Sequence, residues 1–272
     1  MPPSEHVLDL FAVPGDVEPL TGGQGGSVRA GDLVLSPGRD AVVQDLLNPV
    51  IARLAVDLDT RPARERQDLR IAMPIPARDG SWVVDGWSAS RYEPGAQLLV
   101  DLEATLAVAA VLHAELAPRV SDWPPAQQPP RERWSQAERI AFGEASPEPG
   151  AAGAEAEPLL RWLLEQRDPG ADLGEPQLVD GDLAGNVLLD PDGAPVVIDI
   201  APYWRPPLWA EATCVLDSVM WWGADVEAMT AWADGVPRQA MIRAALFRLL
   251  SDRPADVAAY GRALAPLSPA LR

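Results

Sequence analysis

Asp182, Asn186 and Asp199 are the residues best placed by type and spacing to do chemistry, because they bracket a β-hairpin within LVDGDLAGNVLLDPDGAPVVIDI, residues 178–200. The apolar runs Val187 to Leu189 and Pro195 to Ile198 flank an Asp-Pro-Asp-Gly turn, a residue set that favours tight reversal. Pairing of those two strands draws the three side chains close together. An amide oxygen from Asn186 and a carboxylate from Asp199 are hard donors suited to Mg2+, which completes its octahedron with phosphate oxygens and water. A third carboxylate just ahead of them, Asp182, can orient a hydroxyl nucleophile or accept its proton. The same residues also fit a plain hairpin whose Asp and Asn side chains only cap turns.

A glycine cluster is the second candidate. Gly22, Gly23, Gly25 and Gly26, followed by Ser27 and Arg29, stand between two strand-like runs. Without Cβ atoms such a segment lets backbone N–H groups approach phosphates, although glycines at a hairpin tip also occur for steric reasons alone. The segment lacks the GK[ST] of a Walker loop, and its spacing fails the dinucleotide fingerprint.

Composition removes whole classes of function. The chain has 22 basic residues, all of them arginine, against 40 acidic ones, for a net charge of −18. Schiff-base lysines and lysine bases are therefore excluded, and a surface so acidic repels nucleic acid. Cys214 is the only cysteine, which rules out an internal disulfide and a multi-cysteine metal site. His6 and His113 have no Ser or Cys partner in a recognisable motif, so a hydrolase triad is unsupported. The longest apolar stretches are too short to span a bilayer and the N-terminal residues do not read as a secretory leader, so a cytoplasmic protein without membrane contact is expected.

The elements that must position these residues follow from periodicity. Ser4 to Val13 reads as a short helix capped by Ser4, and Val17 to Leu35 as strands around the glycine turn and the Ala30-Gly31-Asp32 reversal. A helix is predicted over 49–58, with strands near 70–74 and 81–87, the latter joined to 88–92. Residues 101–116 carry apolar side chains at helical spacing, residues 118–158 read as a loop-bearing insertion with one helix near 131–142, a further helix covers 158–166, and helix continues beyond Leu208. The 95 N-terminal residues carry 9 arginines and 14 acidic residues, the remainder 13 and 26, so the second part is the more acidic. Such a part favours cationic or metal-neutralised ligands.

With Asp182-x-x-x-Asn186 and Asp199 beyond the hairpin, the chain resembles the protein-kinase-like fold in its aminoglycoside phosphotransferase branch, where the common form reads His-Gly-Asp-x-x-x-x-Asn. The runs GGQGGSVRAGDLVL, SWVVDGWSASRYEPG and IDIAPYWRPPLWAEATCVLDSVMWWGAD are similar to an uncharacterised actinobacterial family of such proteins. The resemblance implies an α+β, two-lobed fold: a small antiparallel N-lobe over 1–95 bearing the glycine-rich loop, and a mainly helical C-lobe over 96–272 bearing the catalytic loop. It implies Asp182 as catalytic base, Asn186 and Asp199 as Mg2+ ligands, and Gly22, Gly23, Gly25, Gly26, Ser27 and Arg29 near the phosphates of ATP. The backbone of Ser90, Arg91 and Tyr92 would meet adenine, and Tyr203 and Arg205 would border the acceptor. The implied activity is ATP- and Mg2+-dependent transfer of the γ-phosphoryl group to a hydroxyl of a small molecule or peptide.

Two departures weaken that implication. Ser36 stands where the fold places the lysine that holds nucleotide phosphates, and the helix predicted over 49–58 offers no glutamate to pair with it. Arg29 or Arg39 is left to supply the missing charge. Asp180 stands where a histidine usually precedes Gly-Asp. The alternative is a pseudokinase that binds a nucleotide or a protein partner without turnover.

Overall fold

The computed structural model describes residues 2–20, 26–123, 133–252 and 254–267. It has the α+β composition expected, with one antiparallel and one mixed sheet in one part and helices dominating the other. Contacts divide the chain into a first unit of residues 1–99 and 185–200 and a second of residues 100–184 and 201–272. The Asp-Pro-Asp-Gly hairpin thus packs with the N-terminal residues.

In the first unit, α1 (Glu5–Leu10) is capped by Ser4, whose hydroxyl accepts from the Val7 N–H. A five-stranded antiparallel sheet runs β1 (Glu18–Pro19), β2 (Val28–Ala30), β3 (Leu33–Ser36), β6 (Ser88–Arg91) and β5 (Pro74–Ile75). Val28, Ala30, Leu35 and Ala89 bury against Val7, Phe11 and Trp87 to form its core. A second sheet orders β4 (Arg70–Ile71), β10 (Pro195–Val197), β9 (Val187–Leu189) and β7 (Gln97–Leu98), with β4 and β10 parallel. The hairpin forms from the two predicted strands, with Val187 opposite Val197. Asp190 tightens its turn by accepting the N–H groups of Asp192 and Ala194.

Three elements differ from their predicted bounds, and the first is the strand predicted near 70–74, which is split into β4 in one sheet and β5 in the other. Helix α2 spans Ala41–Asp59, eight residues earlier than the proline at 49 suggests, because Asp40 caps it by accepting from Val42 and Val43 and the helix carries Pro49 in its interior. Proline is most favourable in a first helical turn, which is why it reads as a start, but an interior proline is tolerated where packing outweighs one lost hydrogen bond. Here Leu47, Ile51, Leu54 and Leu58 supply that burial. The strand predicted over 81–87 is reduced to a single bridge between Val84 and Trp87. Asp85 and Gly86 both adopt positive φ, +48° and +79°, and make the tight two-residue reversal that such a pair favours.

The second unit is built on helices α3 (Leu102–Leu116), α4 (Arg133–Ala141), α5 (Glu157–Gln166), α6 (Pro207–Trp221), α7 (Gly235–Ser251) and α8 (Val257–Ala263), with a 3-10 turn at Val226–Trp232. Asp101 caps α3 by accepting from the Ala104 N–H. A two-stranded antiparallel ribbon, β8 (Gln177–Asp180) against β11 (Pro202–Arg205), crosses this helical core. Trp209, Phe247 and Tyr203 meet edge to face with centroids 5.3–5.5 Å apart, and most of α7 is buried among them. Among the described residues no helix is long and apolar enough to cross a membrane. Cys214 is buried and its thiol is pushed up to about 12, first by desolvation, which suits a packing residue.

Candidate functional site

In the second unit, the residues around Asp182 form a buried scaffold for one carboxylate. Asp182 follows β8, in a turn held from three directions. The Asp180 side chain is 1% exposed and its Oδ1 accepts from the backbone N–H groups of Asp182 (3.0 Å) and Ala201 (3.1 Å). The Asp180 N–H is donated to Nε2 of His113 on α3 at 3.1 Å. Because Nε2 accepts, the neutral ring carries its proton on Nδ1. Desolvation drives the pKa of His113 down to about 4, which keeps it the acceptor this contact requires.

Arg248 of α7 completes the scaffold. Its Nη2 donates to Asp182 Oδ1 at 2.6 Å and to the Gly181 carbonyl at 3.1 Å, while Nε donates to both oxygens of Asp217 on α6 at 2.8 and 3.1 Å. Nη2 also bonds Asp217. Burial lowers the pKa of this guanidinium, but Asp217 and Asp182 outweigh that and raise it well above its ordinary value. The side chains of Arg248 and Asp217 are 6% and 2% exposed, whereas that of Asp182 is 44% exposed. Arg248 thus bonds the solvent-reaching Asp182 carboxylate, Asp217 holds Arg248, and Asp180, with His113 accepting its N–H, fixes the backbone that carries it. Gly181 fits there because a Cβ would stand 2.5 Å from the Tyr203 ring.

In the first unit, the hairpin sets Asn186 and Asp199 at its open end, where the Ile198 N–H donates to the Asn186 carbonyl at 3.0 Å. Their donor types suit Mg2+. Asp199, however, is already engaged: its two carboxylate oxygens accept from Nη1 and Nη2 of Arg39 at 2.9 and 2.7 Å, a fork-to-fork pair. As arranged, the set does not fit a divalent ion. Arg39 sits between β3 and α2, its own N–H donated to the Gly86 carbonyl at 2.9 Å. A small cavity of about 50 Å³ adjoins the pair, lined by Ser36, Gln44, Asn48, Ser90 and Ile71 among others. Gln44, on α2, lines this cavity together with Ser36.

The other nucleotide-side candidates have partners within this unit. Gly22, Gly23 and Gly25 lie outside the described residues. Gly26 has φ +99° with the Pro37 ring 3.2 Å from a would-be Cβ, and the Ser27 hydroxyl is 3.2 Å from that of Ser36. Arg29 donates to the Gly31 carbonyl at 3.0 Å, pairs with Glu18 at 3.6 Å and stacks over Tyr92. Ser90 lies in β6 between Val34 and Pro74, the Arg91 N–H is donated to the Met73 carbonyl and the Tyr92 N–H to the Asp32 carbonyl. On the acceptor side, Tyr203 is 7% exposed in the aromatic core, and Arg205 pairs with Glu138 and Glu144 while stacking on Phe142 at 4.0 Å.

Solved structures of similar fold include choline and aminoglycoside phosphotransferases. The choline kinase LicA from Streptococcus pneumoniae aligns with 97% of this chain and 96% of its own at a TM-score of 0.55 and 16% identity. LicA in complex with AMP gives 0.51 at 16% identity over 94% of this chain and 92% of that one. An aminoglycoside phosphotransferase from Alicyclobacillus acidocaldarius gives 0.50 at 13% identity over 99% and 84%. The likeness is one of fold. The chain thus has the kinase-like fold that the Asp182 to Asp199 segment implied, while nothing in these comparisons supports the narrower actinobacterial family. No protein-family model matches the chain, and no curated protein does.

Sequence reading missed Arg248, Asp217 and Gln44. An arginine inside the apolar run AALFRLL of α7 was the available signal for the first, since a charge at such a position is buried only when paired.

Proposed function

We propose that the chain is an ATP-dependent phosphotransferase that moves the γ-phosphoryl group to a hydroxyl of a small molecule or peptide. The observation that carries this reading is the scaffold on Asp182. Ion pairs that are buried seldom add net stability over apolar packing, so a buried Arg248–Asp217 pair that holds one exposed carboxylate is better explained by what that carboxylate does. The acceptor hydroxyl donates to Asp182, its oxygen attacks the γ-phosphorus, the bond to the β–γ bridging oxygen breaks and ADP departs. Asp182 takes the proton that the hydroxyl releases. Positioning and fixed charge supply most of the catalysis in this chemistry.

The acceptor class follows from charge. Choline kinases and aminoglycoside phosphotransferases, the structurally similar enzymes, are named for cationic acceptors, and the acidic second part of this chain suits a cation. A second reading, a nucleotide- or partner-binding module without turnover, is favoured by Ser36 and by the engagement of Asp199 with Arg39. ADP release from ATP in the presence of choline and a panel of amino sugars separates the two. The phosphotransferase shows acceptor-dependent ADP release that falls by about 10²-fold or more in Asp182→Asn with ATP affinity retained. Nucleotide binding with no acceptor-dependent release from any of them favours the module.

A further inference from the structure

We infer that Arg39 stands in for the divalent cation in this protein, so that nucleotide phosphates are received by a guanidinium and bind without Mg2+. The inference rests on the nucleotide-binding part of the proposed function and concerns how that site meets negative charge. A kinase-like site needs positive charge from a lysine and from metal ions. This chain has no lysine, and Ser36, which the resemblance places at the usual lysine position, shares a small cavity with the neutral Gln44. The charges that line that cavity are those of Arg39 and Asp199.

The geometry favours arginine over metal at Asp199. Both carboxylate oxygens accept from the guanidinium in a bidentate fork, at 2.9 and 2.7 Å. Arg39 cannot lose its proton at any ordinary pH, so the pair is permanent as far as titration is concerned. To ligate Asp199, a Mg2+ ion would have to break two charge-assisted bonds to a guanidinium that is 24% exposed. Only one carboxylate and one amide would repay it, and Mg2+ gives up water reluctantly. Asp199 serves on this account as the anchor that aims Arg39, and the backbone bond from Arg39 to Gly86 fixes the turn that carries it.

The test is calorimetric titration of the full chain with ATP in excess EDTA and again in excess Mg2+, together with Mn2+ binding measured by electron paramagnetic resonance without nucleotide. Wild type should bind ATP with affinities that agree within about threefold in the two buffers, and should take up no Mn2+ at Asp199 at low millimolar concentration. Arg39→Gln should lose about tenfold or more of the EDTA affinity and gain a Mn2+ site, while Arg39→Lys, which keeps the charge but not the fork, should fall between. Circular dichroism of each variant verifies folding. ATP affinity that rises about tenfold or more with Mg2+ in wild type overturns the inference and leaves the phosphotransferase standing. An absence of ATP binding in both buffers overturns both.

Discussion

Each unit holds an aspartate in the grip of an arginine, but the two grips differ in depth. Arg39 and Asp199 form a partly exposed pair, with side chains 24% and 42% exposed. Arg248 is 6% exposed and is shared between Asp217, 2% exposed, and Asp182. The shallow pair can exchange with solvent and with other ions, so its value lies in where it puts charge. The deep cluster has no water to fall back on. Removing one member there leaves an uncompensated buried charge, and the cluster behaves as part of the fold while its one exposed oxygen-bearing arm faces outward.

That contrast is broken most forcefully at Arg248. Arg248→Met should destabilise the protein by about 3–5 kcal/mol in equilibrium denaturation, because Asp217 stays buried without its partner. The double variant Arg248→Met with Asp217→Leu should recover most of that loss, as replacing both partners removes the stranded charge. A loss under about 1 kcal/mol for the single variant would place the cluster with surface pairs.

The next largest effect concerns pH. His113 is neutral in the folded protein down to about 4, against an ordinary value of 6.5. The unfolded chain therefore binds the extra proton first, and stability falls as pH drops from 6.5 toward 4, by about 3 kcal/mol in total from this one group. His113→Gln should flatten the corresponding part of the stability profile and loosen the Asp180 turn, seen as faster amide exchange at Asp180 and Asp182. An unchanged profile would show that His113 titrates normally. The smallest effect is expected at the shallow pair: Arg39→Gln should change folding stability by less than about 1 kcal/mol, whatever it does to nucleotide affinity.

What could be read beforehand divides along the same line. The hairpin, its Asp-Pro-Asp-Gly turn and the cap at Ser4 are local, and their residues announce them. Helix α2 was misplaced because Pro49 looks like a first-turn residue, and with the start of the helix went Gln44. Its true signal was Asp40, an N-cap residue ahead of an apolar-periodic run. The supports of Asp182 come from positions 66 and 67 residues away in the chain, Arg248 and the His113 to Asp180 contact, and no local pattern marks such pairs. His113 was visible as a histidine without a catalytic partner. Its partner is a backbone N–H, which no side-chain motif records. The arginine engaging Asp199 was equally hidden, since it lies 160 residues away.

The most direct measurement is equilibrium unfolding of the full chain in EDTA, with and without ATP at a concentration about a hundred times its measured dissociation constant. The account predicts a gain of roughly 2.7 kcal/mol without any divalent ion, lost in Arg39→Gln. Stabilisation that appears only when Mg2+ is added would contradict it.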